Sequence, residues 1–456
     1  MGTAGEPRAS GTSAGAGLFE RLGLGRPELR AWALYDWANS AFFTTIVTAV
    51  FPVYYHEVAA QGREDVLERF SALTTWSMVA VALVGPLLGA LSDTGARKKP
   101  MLGAFLGLGV LATAALWFVE RGDWQLASLL FVLGNIGVAG SFVFYDALLP
   151  SIASEDELDR VSTSAYALGY LGGGLLLALN LAWILKPAWF GLPEGSTVPV
   201  RLAFVSVAVW WALFALPLLR SVKEPPRVRE PDEPAGMGAL RVAFARLAET
   251  ARDLPRHRDA FLLMVAMLAY NDGINTIIRM ATIYGAEIGL DGPKMIPAVL
   301  LVQFLGVPCA FGFGWLAGRI GPKRAVLGGI GVYLGITALA WRMASPGEEH
   351  PLVYFYALAA AVALVMGGCQ ALTRSMFASM VPKHRSGEFF GLFGVLERFS
   401  AILGPLCFGL AIEATGEPRW GVLPLVAFFL VGAALLACVD LERGRKVARE
   451  VNLSNP

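Results

Sequence analysis

The chain has 456 residues, of which 55% are hydrophobic and only 16% are charged, and its formal net charge is +1. Soluble domains carry about 25% charged residues, so this composition is typical of a membrane protein. The near-neutral balance argues against a general affinity for nucleic acid. The four Cys and four His residues show no paired or metal-ligand spacing. We therefore expect no disulfide, no metal site and no other cofactor.

Twelve apolar segments separated by short charged loops predict twelve transmembrane helices, which we number as spans 1 to 12. About 20 apolar residues are enough for a helix to cross a bilayer. A longer polar stretch follows span 6, as in two fused six-helix halves, here 31–220 and 259–441. We therefore expect an all-α membrane protein with spans at 31–56, 71–92, 98–119, 126–150, 161–185, 201–220, 260–284, 294–318, 322–343, 351–381, 388–412 and 420–440.

Three polar segments flank or join these halves. Residues 1–30 begin with a run of Gly, Ala, Ser and Thr and predict a flexible tail, and residues 442–456 predict a second, short tail. The linker 221–258 starts as a Pro-rich charged stretch and continues with Leu and Phe at helical spacing. It predicts either an amphipathic helix on the inner leaflet or a solvated linker helix.

The distribution of basic residues predicts the orientation in the membrane. With both termini in the cytoplasm, 26 of the 37 Lys and Arg residues fall in cytoplasmic segments and eight fall in outside loops. Cytoplasmic loops of membrane proteins carry an excess of Lys and Arg. We therefore expect both termini to be cytoplasmic.

Span 1 carries three polar side chains that point to function, Tyr35, Asp36 and Asn39. A carboxylate in hydrocarbon costs roughly 2.5–3.5 kcal/mol on insertion scales, so it normally faces a polar cavity or a partner. Span 7 repeats the same spacing as Asp272 and Asn275, 236 positions later. Two such stripes, one in each half, predict two repeats that face a shared polar site.

Arg279 extends the stripe of span 7, and we interpret both stripes as lining the path of a secondary transporter. The carboxyls of Asp36 and Asp272 are candidate proton carriers. The alternative is that both only hydrogen-bond to neighbouring helices.

The loop after span 2 reads GALSDTGARKKP, residues 89–100, with small residues first and a basic cluster that includes Arg97 last. Asp93 can cap a helix end or pair with a basic group across the interface between the halves. A contact that forms in one conformation and breaks in the other would act as a gate latch. The alternative is that the basic cluster only sets the topology.

Charged residues near the inner ends of spans 4, 10 and 11 are candidates for gating or for structural ion pairs. We expect Arg374 to pair with Glu397, since both lie about 10–13 Å from the inner end. Arg398 then points the other way, because neighbours along a helix diverge by about 100°. Arg398 or Arg279 is left to bind an anionic group of the substrate. Asp146 is either a gating residue or a solvated residue at the cytoplasmic end of span 4 with no special role.

Glycines at four-residue spacing predict sites where helices pack closely. These pairs are Gly85/Gly89, Gly103/Gly107, Gly314/Gly318, Gly331/Gly335 and Gly387/Gly391. Gly404 and Pro405 predict a place where span 11 bends or slides during gating.

The loop 89–100 resembles the signature of the major facilitator superfamily, Gly-x-Leu-x-Asp followed by Gly-Arg-Lys. The matching residues are Gly89, Leu91, Asp93, Arg97 and Lys98. Gly95 stands one place earlier than usual, and the loop after span 8 has Gly318 at the Asp position. The latch that the resemblance implies therefore rests on Asp93.

Longer stretches resemble the autophagy-related vacuolar effluxer family. They are WALYDWANSAFFTTI (32–46), FYDALLP (144–150), ALGYLGGGLLLALN (167–180), YNDGINTI (270–277) and RSMFASMVPKHRSGEFFGLFG (374–394). Asp146 departs from the pattern, in which Asn is expected. The resemblance implies the twelve-helix facilitator fold and export of small solutes, with amino acids as the leading class. It also favours a bacterial inner membrane.

We therefore expect a monomeric transporter whose partners are a small solute, the lipid bilayer and, in one version of the mechanism, protons. Export of drugs or other amphipathic compounds is the alternative, since Trp37, Phe42 and Phe43 offer aromatic surface. A sensor or scaffold without turnover is another, because fold alone does not determine function. An enzyme is not expected, since the spans contain no nucleophile and base in a convincing arrangement.

Overall fold

The structure, a computed structural model, describes residues 17–63, 85–93, 97–224, 255–290, 292–345 and 349–454, with the single positions 79, 249, 252 and 253. These residues are helical apart from short turns and loops, and none of them forms a β-strand. Ten of the described helices are long and apolar enough to cross a membrane. The expected all-α membrane fold is confirmed.

Span 1 is a helix with changes of pitch. It begins as the α-helix Pro27–Ala41, continues as the π-helix Phe42–Ala49, and ends with the short helices Phe51–Tyr54 and Tyr55–Ala59. Pro52 lies in the later part of this run and has no amide hydrogen to donate to the preceding turn, which favours a local departure from α geometry. Most of span 2 lies outside the described residues, and its helix is described over 85–93.

The other spans follow the expected order. Spans 3 to 6 are Lys98–Ala115, Trp124–Ile152, Leu158–Leu185 and Val198–Ser221; spans 7 to 10 are Arg258–Glu287, Gly292–Ile320, Pro322–Met343 and Pro351–Met380; span 12 is Leu423–Cys438. Span 11 consists of two helices, Ser386–Phe399 and Leu403–Thr415. The break between them lies directly before Gly404, where a bend is expected.

The described spans pack as two groups. Spans 1, 3, 4, 5 and 6 contact one another and form the N half, and spans 7 to 12 form the C half. The two halves meet mainly where span 5 packs against spans 8 and 10 and where span 4 packs against span 11. Within the N half, spans 3 and 4 touch at Gly109 and Gly137, and a Cβ added to Gly137 would collide with the backbone of Gly109.

The described residues 17–30 are packed against the protein, which corrects the prediction of a flexible tail for this part of 1–30. Leu24 and Leu29 are buried, and the helix Leu18–Arg21 precedes them. The side chain of Arg26 donates to the carbonyl of Ile152 at 2.7 Å and pairs with Glu157 at 2.5 Å. This segment therefore packs on the loop between spans 4 and 5, whereas residues 1–16 lie outside the described residues.

The predicted polar tail at the other end of the chain is also a helix, Leu441–Ser454. Arg443 pairs with Asp259 at the start of span 7, and Arg449 pairs with Glu155 of the N half, each at 2.5 Å. Residues 225–248 of the central linker lie outside the described residues, so the predicted amphipathic helix there stays a prediction. We call the face that carries this C-terminal helix and residues 18–30 the terminal face.

Candidate functional site

A buried cluster of charged side chains joins the two halves. Arg374 of span 10 is only 3% exposed. Its Nη2 lies 3.1 Å from Oδ2 of Asp36 in span 1, and its Nη1 lies 3.3 Å from Oδ1 of Asp146 in span 4. Its Nε donates to Oγ of Ser162 in span 5 at 2.9 Å, and its Nη2 also donates to the Ser162 carbonyl at 3.2 Å. One guanidinium of the C half therefore binds three spans of the N half.

Three aromatic rings complete the surroundings of this guanidinium. The Cζ atom of Arg374 lies 4.6 Å from the ring centroid of Tyr166, 4.8 Å from Trp32 and 5.6 Å from Tyr145. Trp32 stacks on Tyr145 at 4.5 Å, and its Nε1 donates to the Tyr145 carbonyl at 2.9 Å. The ring faces attract a cation, and the exclusion of water strengthens each ion pair while making its loss expensive.

Asp36 and Asn39 lie on one face of span 1, as the spacing predicts. Nδ2 of Asn39 donates to Oδ1 of Asp36 at the long distance of 3.5 Å. Tyr35 packs inside the N half, where its ring lies 4.8 Å from that of Tyr145. Span 5 approaches closely at Gly169, since a Cβ there would lie 3.3 Å from the Asp36 carbonyl. Packing against span 5 therefore holds the Asp36 turn in place.

A small cavity of about 30 Å³ lies beside the cluster, between the halves. Its lining combines aromatic, polar and charged side chains: Phe142, Asp146, Tyr166, Met267, Tyr270, Asn271, Gln370, Thr373, Arg374, Phe393 and Glu397. Such a volume holds roughly one or two water molecules. An amino acid does not fit in it, so a solute can enter only after the halves move apart.

The predicted pair between Arg374 and Glu397 is not formed in this conformation. Among the described residues, the ion pairs of Arg374 are those with Asp36 and Asp146. Glu397 lines the cavity and forms no ion pair with a residue that the structure describes. Depth along spans 10 and 11 does not identify the partner of Arg374, because spans 1 and 4 place two further carboxylates within its reach.

Arg398 is also held in place, although it was expected to bind an anionic solute. Its Nη1 donates to the carbonyl of Gly394 at 2.7 Å, and its Nη2 donates to the carbonyl of Ala139 in span 4 at 2.9 Å. The bond to Ala139 ties span 11 to the N half. Arg279, the other candidate, has an exposed side chain in the later part of span 7.

The polar stripe of span 7 stabilises the break in span 11. Oδ1 of Asp272 accepts the amide of Gly404 at 2.9 Å, at the start of the second helix of that span. Nδ2 of Asn271 donates to Oγ of Ser400 at 2.9 Å, and Nδ2 of Asn275 lies 3.3 Å from both the carbonyl and Oγ of Ser400. A carboxylate at this position satisfies an amide that has no partner within its own helix.

Asp93 caps the first helix of span 11 at the terminal face. Its Oδ1 and Oδ2 accept the backbone amides of Gly387 at 3.2 Å and Glu388 at 2.9 Å. Nζ of Lys98 lies 2.9 Å from Oδ1. The carboxylate is stabilised by the helix dipole as well as by these bonds. Arg97 is exposed just before span 3 and forms no ion pair with a described residue.

Two of the predicted glycine pairs pack against each other across the halves. A Cβ added to Gly89 of span 2 would collide with the carbonyl of Gly387 in span 11, and one on Gly391 would lie 2.8 Å from the carbonyl of Gly85. The close-packing role predicted for these two pairs is confirmed. Together with the Asp93 cap, this contact closes the terminal face.

Several residues of the site were not predicted. Ser162 and Tyr166 lie four residues apart in span 5 and both contact Arg374, as does Trp32. The spacing of Ser162 and Tyr166 places them on one helical face, which is a signal that the sequence contains. The aromatic role of Trp32 has no such signal, because Trp is common in membrane helices for other reasons.

Comparisons with known proteins identify a family and several relatives. The family model described as "Vacuole effluxer Atg22 like" matches residues 70–449. YxiO of Bacillus subtilis, described as an uncharacterized MFS-type transporter, is 32% identical, with 92% of this chain and 97% of YxiO covered. Autophagy-related protein 22 of Eremothecium gossypii is 24% identical, with 92% of each chain covered.

Solved structures share the fold at low sequence identity. The proton:xylose symporter XylE superposes with a TM-score of 0.66 at 14% identity, covering 95% of this chain and 98% of XylE. A bacterial homologue of the iron transporter ferroportin in an outward-facing state gives 0.65 at 16% identity, covering 90% of this chain and 98% of its own. Both comparisons show the fold of the major facilitator superfamily.

Proposed function

This chain belongs to the vacuole effluxer Atg22-like family of the major facilitator superfamily, and we propose that it exports amino acids by alternating access. It is a multi-pass integral membrane transporter rather than an enzyme. The proposal adds a substrate class, a direction and a coupling ion to that general activity.

The observation that carries the proposal is the bond between Arg374 and the carboxylates of Asp36 and Asp146. It lies beside a cavity between the halves and near their closed terminal face. Opening that face separates span 10 from spans 1 and 4 and breaks both ion pairs. A transporter that exposes one site to two sides in turn needs contacts that form in only one of its states.

The cavity supports a small polar substrate. Asn271, Gln370 and Thr373 supply amide and hydroxyl groups, and Glu397 supplies a carboxylate. Such groups can bind the ammonium and carboxylate of an amino acid by hydrogen bonds and charge. The aromatic lining at Phe142 and Phe393 makes an amphipathic compound the second candidate.

The charges in the cluster support the proposal of proton coupling. Asp36 and Asp146 share a single guanidinium, so the group carries one carboxylate in excess. When the halves separate, both carboxylates lose Arg374, and taking up a proton relieves the repulsion between them. We therefore propose Asp36 and Asp146 as the proton-carrying pair. Asp272 keeps its backbone bond to Gly404 within the C half.

The remaining assignments concern placement in the cell. We propose that the terminal face is cytoplasmic, because the loops and tails on the side of the two termini carry the excess of Lys and Arg. The conformation described here is then closed towards the cytoplasm. We further propose that the protein works as a monomer in a bacterial inner membrane.

Proteoliposomes containing purified protein test the proposal. We expect labelled amino acids to accumulate when a pH gradient is applied, and Asp36→Asn to remove the dependence on that gradient. Glu120→Gln, an exposed side chain on the opposite face, serves as the control and should behave like wild type. If the folded protein moves no amino acid but moves an amphipathic cation, the second candidate is correct.

A further inference from the structure

We propose that the groups around Arg374 form a cation-binding cage, which takes a guanidinium-bearing solute when Arg374 withdraws. The cage consists of Trp32, Asp36, Tyr145, Asp146, Ser162 and Tyr166. The inference rests on the proposed alternating access and adds the class of substrate. Arg374 is then a tethered occupant that fills the cage while the terminal face is closed.

Every residue of the cage belongs to the N half. Trp32 and Asp36 lie on span 1, Tyr145 and Asp146 on span 4, and Ser162 and Tyr166 on span 5. These spans are joined to each other by contacts that do not involve Arg374. Trp32 bonds to the Tyr145 carbonyl, and Gly169 of span 5 packs on the Asp36 turn. When the C half moves away, the cage therefore remains assembled and loses only its cation.

The groups of the cage match the chemistry of a guanidinium. A guanidinium has five N–H donors in one plane and two faces that stack on aromatic rings. The cage offers two carboxylates, one hydroxyl and one carbonyl as acceptors, and its three rings lie within 4.6–5.6 Å of the guanidinium carbon. Aromatic walls favour an organic cation over a small hydrated metal ion.

The charge of the empty cage gives the solute a role in opening. Without Arg374, two neighbouring carboxylates remain with no cation beside them, which is unfavourable because like charges repel. A cationic solute restores these contacts, whereas a neutral solute of the same shape does not. The solute thus stabilises the open state selectively, and a ligand shifts an equilibrium only by such a difference in affinity.

Arginine and citrulline provide the transport test, because they differ in whether the side chain carries a guanidinium or a neutral ureido group. In proteoliposomes with wild-type protein, we expect arginine to inhibit uptake of a labelled amino acid at concentrations at least tenfold lower than citrulline does. Asp146→Asn should reduce that preference to less than about threefold, and Glu120→Gln should keep it. Equal inhibition by arginine and citrulline in wild type would overturn the cage.

A binding test uses a variant in which the cage has no occupant. Methylguanidinium should raise the Tm of detergent-purified Arg374→Ala and leave the Tm of wild type unchanged, because Arg374 fills the cage in the closed state. Methylurea, the neutral analogue, should raise neither. Equal shifts with both compounds would contradict the inference. If Arg374→Ala does not yield folded protein, the comparison of arginine with citrulline decides alone.

The two tests separate this inference from the proposed function. Transport of amino acids without any preference for a guanidinium retains the function and refutes the cage. Stabilisation of Arg374→Ala by methylguanidinium, in a protein that moves no amino acid, retains the cage and refutes the proposed substrate class.

Discussion

Asp36 of span 1 and Asp272 of span 7 occupy matching positions in the two halves, yet they make different kinds of contact. Asp36 pairs with Arg374 across the interface between the halves. Asp272 accepts the amide of Gly404 inside its own half and caps the second helix of span 11. The first contact must break when the halves separate, whereas the second can persist throughout a transport cycle.

The difference shows how a repeated pattern can be put to separate uses. In the N half, the carboxylate of Asp36 pairs with Arg374 of the other half, and the carboxylate of Asp146 in span 4 pairs with the same guanidinium. In the C half, Asn271 and Asn275 donate hydrogen bonds to Ser400, and Asp272 accepts one from Gly404. These contacts stabilise the break in span 11. We propose that the interface charge in span 1 takes part in the conformational change and that the polar stripe of span 7 shapes the helix beside the cavity.

The largest effect on transport should come from a glycine substitution at the interface between the halves, compared with one inside the C half. In Gly89→Ala, the added methyl collides with the backbone of Gly387 across the interface, so the terminal face cannot close. Transport should fall by at least about tenfold, equivalent to about 1.4 kcal/mol, in an uptake assay.

The matched control for this substitution is Gly404→Ala, where the methyl meets the hydroxyl of Thr276 within the C half. This variant should lose stability, measured as Tm, and retain more transport per folded molecule than Gly89→Ala. Equal losses of transport in the two folded variants would mean that the interface contact has no special part in the cycle.

A pH effect of intermediate size is expected at His257, just before span 7. Burial, strengthened by the positive charge of Arg385, lowers the pKa of His257 to about 4 from 6.5, and Asp253 opposes the shift. The neutral ring packs against Phe389 of span 11 at 5.0 Å. Because the unfolded chain takes up a proton first, stability is complete above pH 6.5 and falls between pH 6.5 and 4, by on the order of 2–3 kcal/mol.

His257→Gln should weaken that pH dependence. We would compare the change in Tm between pH 7 and pH 4.5 for the variant and for wild type. An unchanged difference would show that other groups cause the loss of stability in acid.

The smallest effect is expected at the C-terminal helix, which adds a contact between the halves at the surface. Arg449 pairs with Glu155 of the N half, and this hydrogen bond lowers the pKa of the Glu155 carboxyl. Both side chains are substantially exposed, so Arg449→Ala should lower the Tm only slightly. Arg445→Ala is the control, because Arg445 bonds to Ser379 and Glu442 inside the C half.

A modest change in transport rate with Arg449→Ala, and none with Arg445→Ala, would assign a role in gating to the crossing pair. If both variants behave like wild type in transport and in Tm, the C-terminal helix contributes nothing measurable to closure.

Much of this fold follows from local pattern. Apolar length and charged loops predict the all-α class and the order of the spans, and a three-residue spacing places Asp36 and Asn39 on one face. The Gly89 and Gly387 contact also has a local signal, since glycines at four-residue spacing mark close approach. The Gly404–Pro405 pair predicts a bend in span 11 near its actual position.

The partner of Arg374 has no local signal. Spacing along a helix gives depth, but the rotation of each helix and the order in which spans pack decide which of several carboxylates at that depth is reached. Glu397 on the next span was therefore as reasonable as Asp36 and Asp146, which lie 338 and 228 positions away. The packing of the predicted polar tail after span 12 has no local signal for a similar reason, because Asp259 and Glu155, which bind it, are distant in sequence.

The most direct test compares Asp36→Asn with Asp272→Asn in the same exchange assay, with labelled amino acid inside and outside the proteoliposomes. Asn caps a helix about as well as Asp, so Asp272→Asn should retain most of the wild-type rate. Asp36→Asn removes one of the two ion pairs by which Arg374 joins the halves and should lower the rate by about tenfold or more. Equal rates for the two folded variants, or a larger loss for Asp272→Asn, would contradict the assignment of the interface charge to span 1.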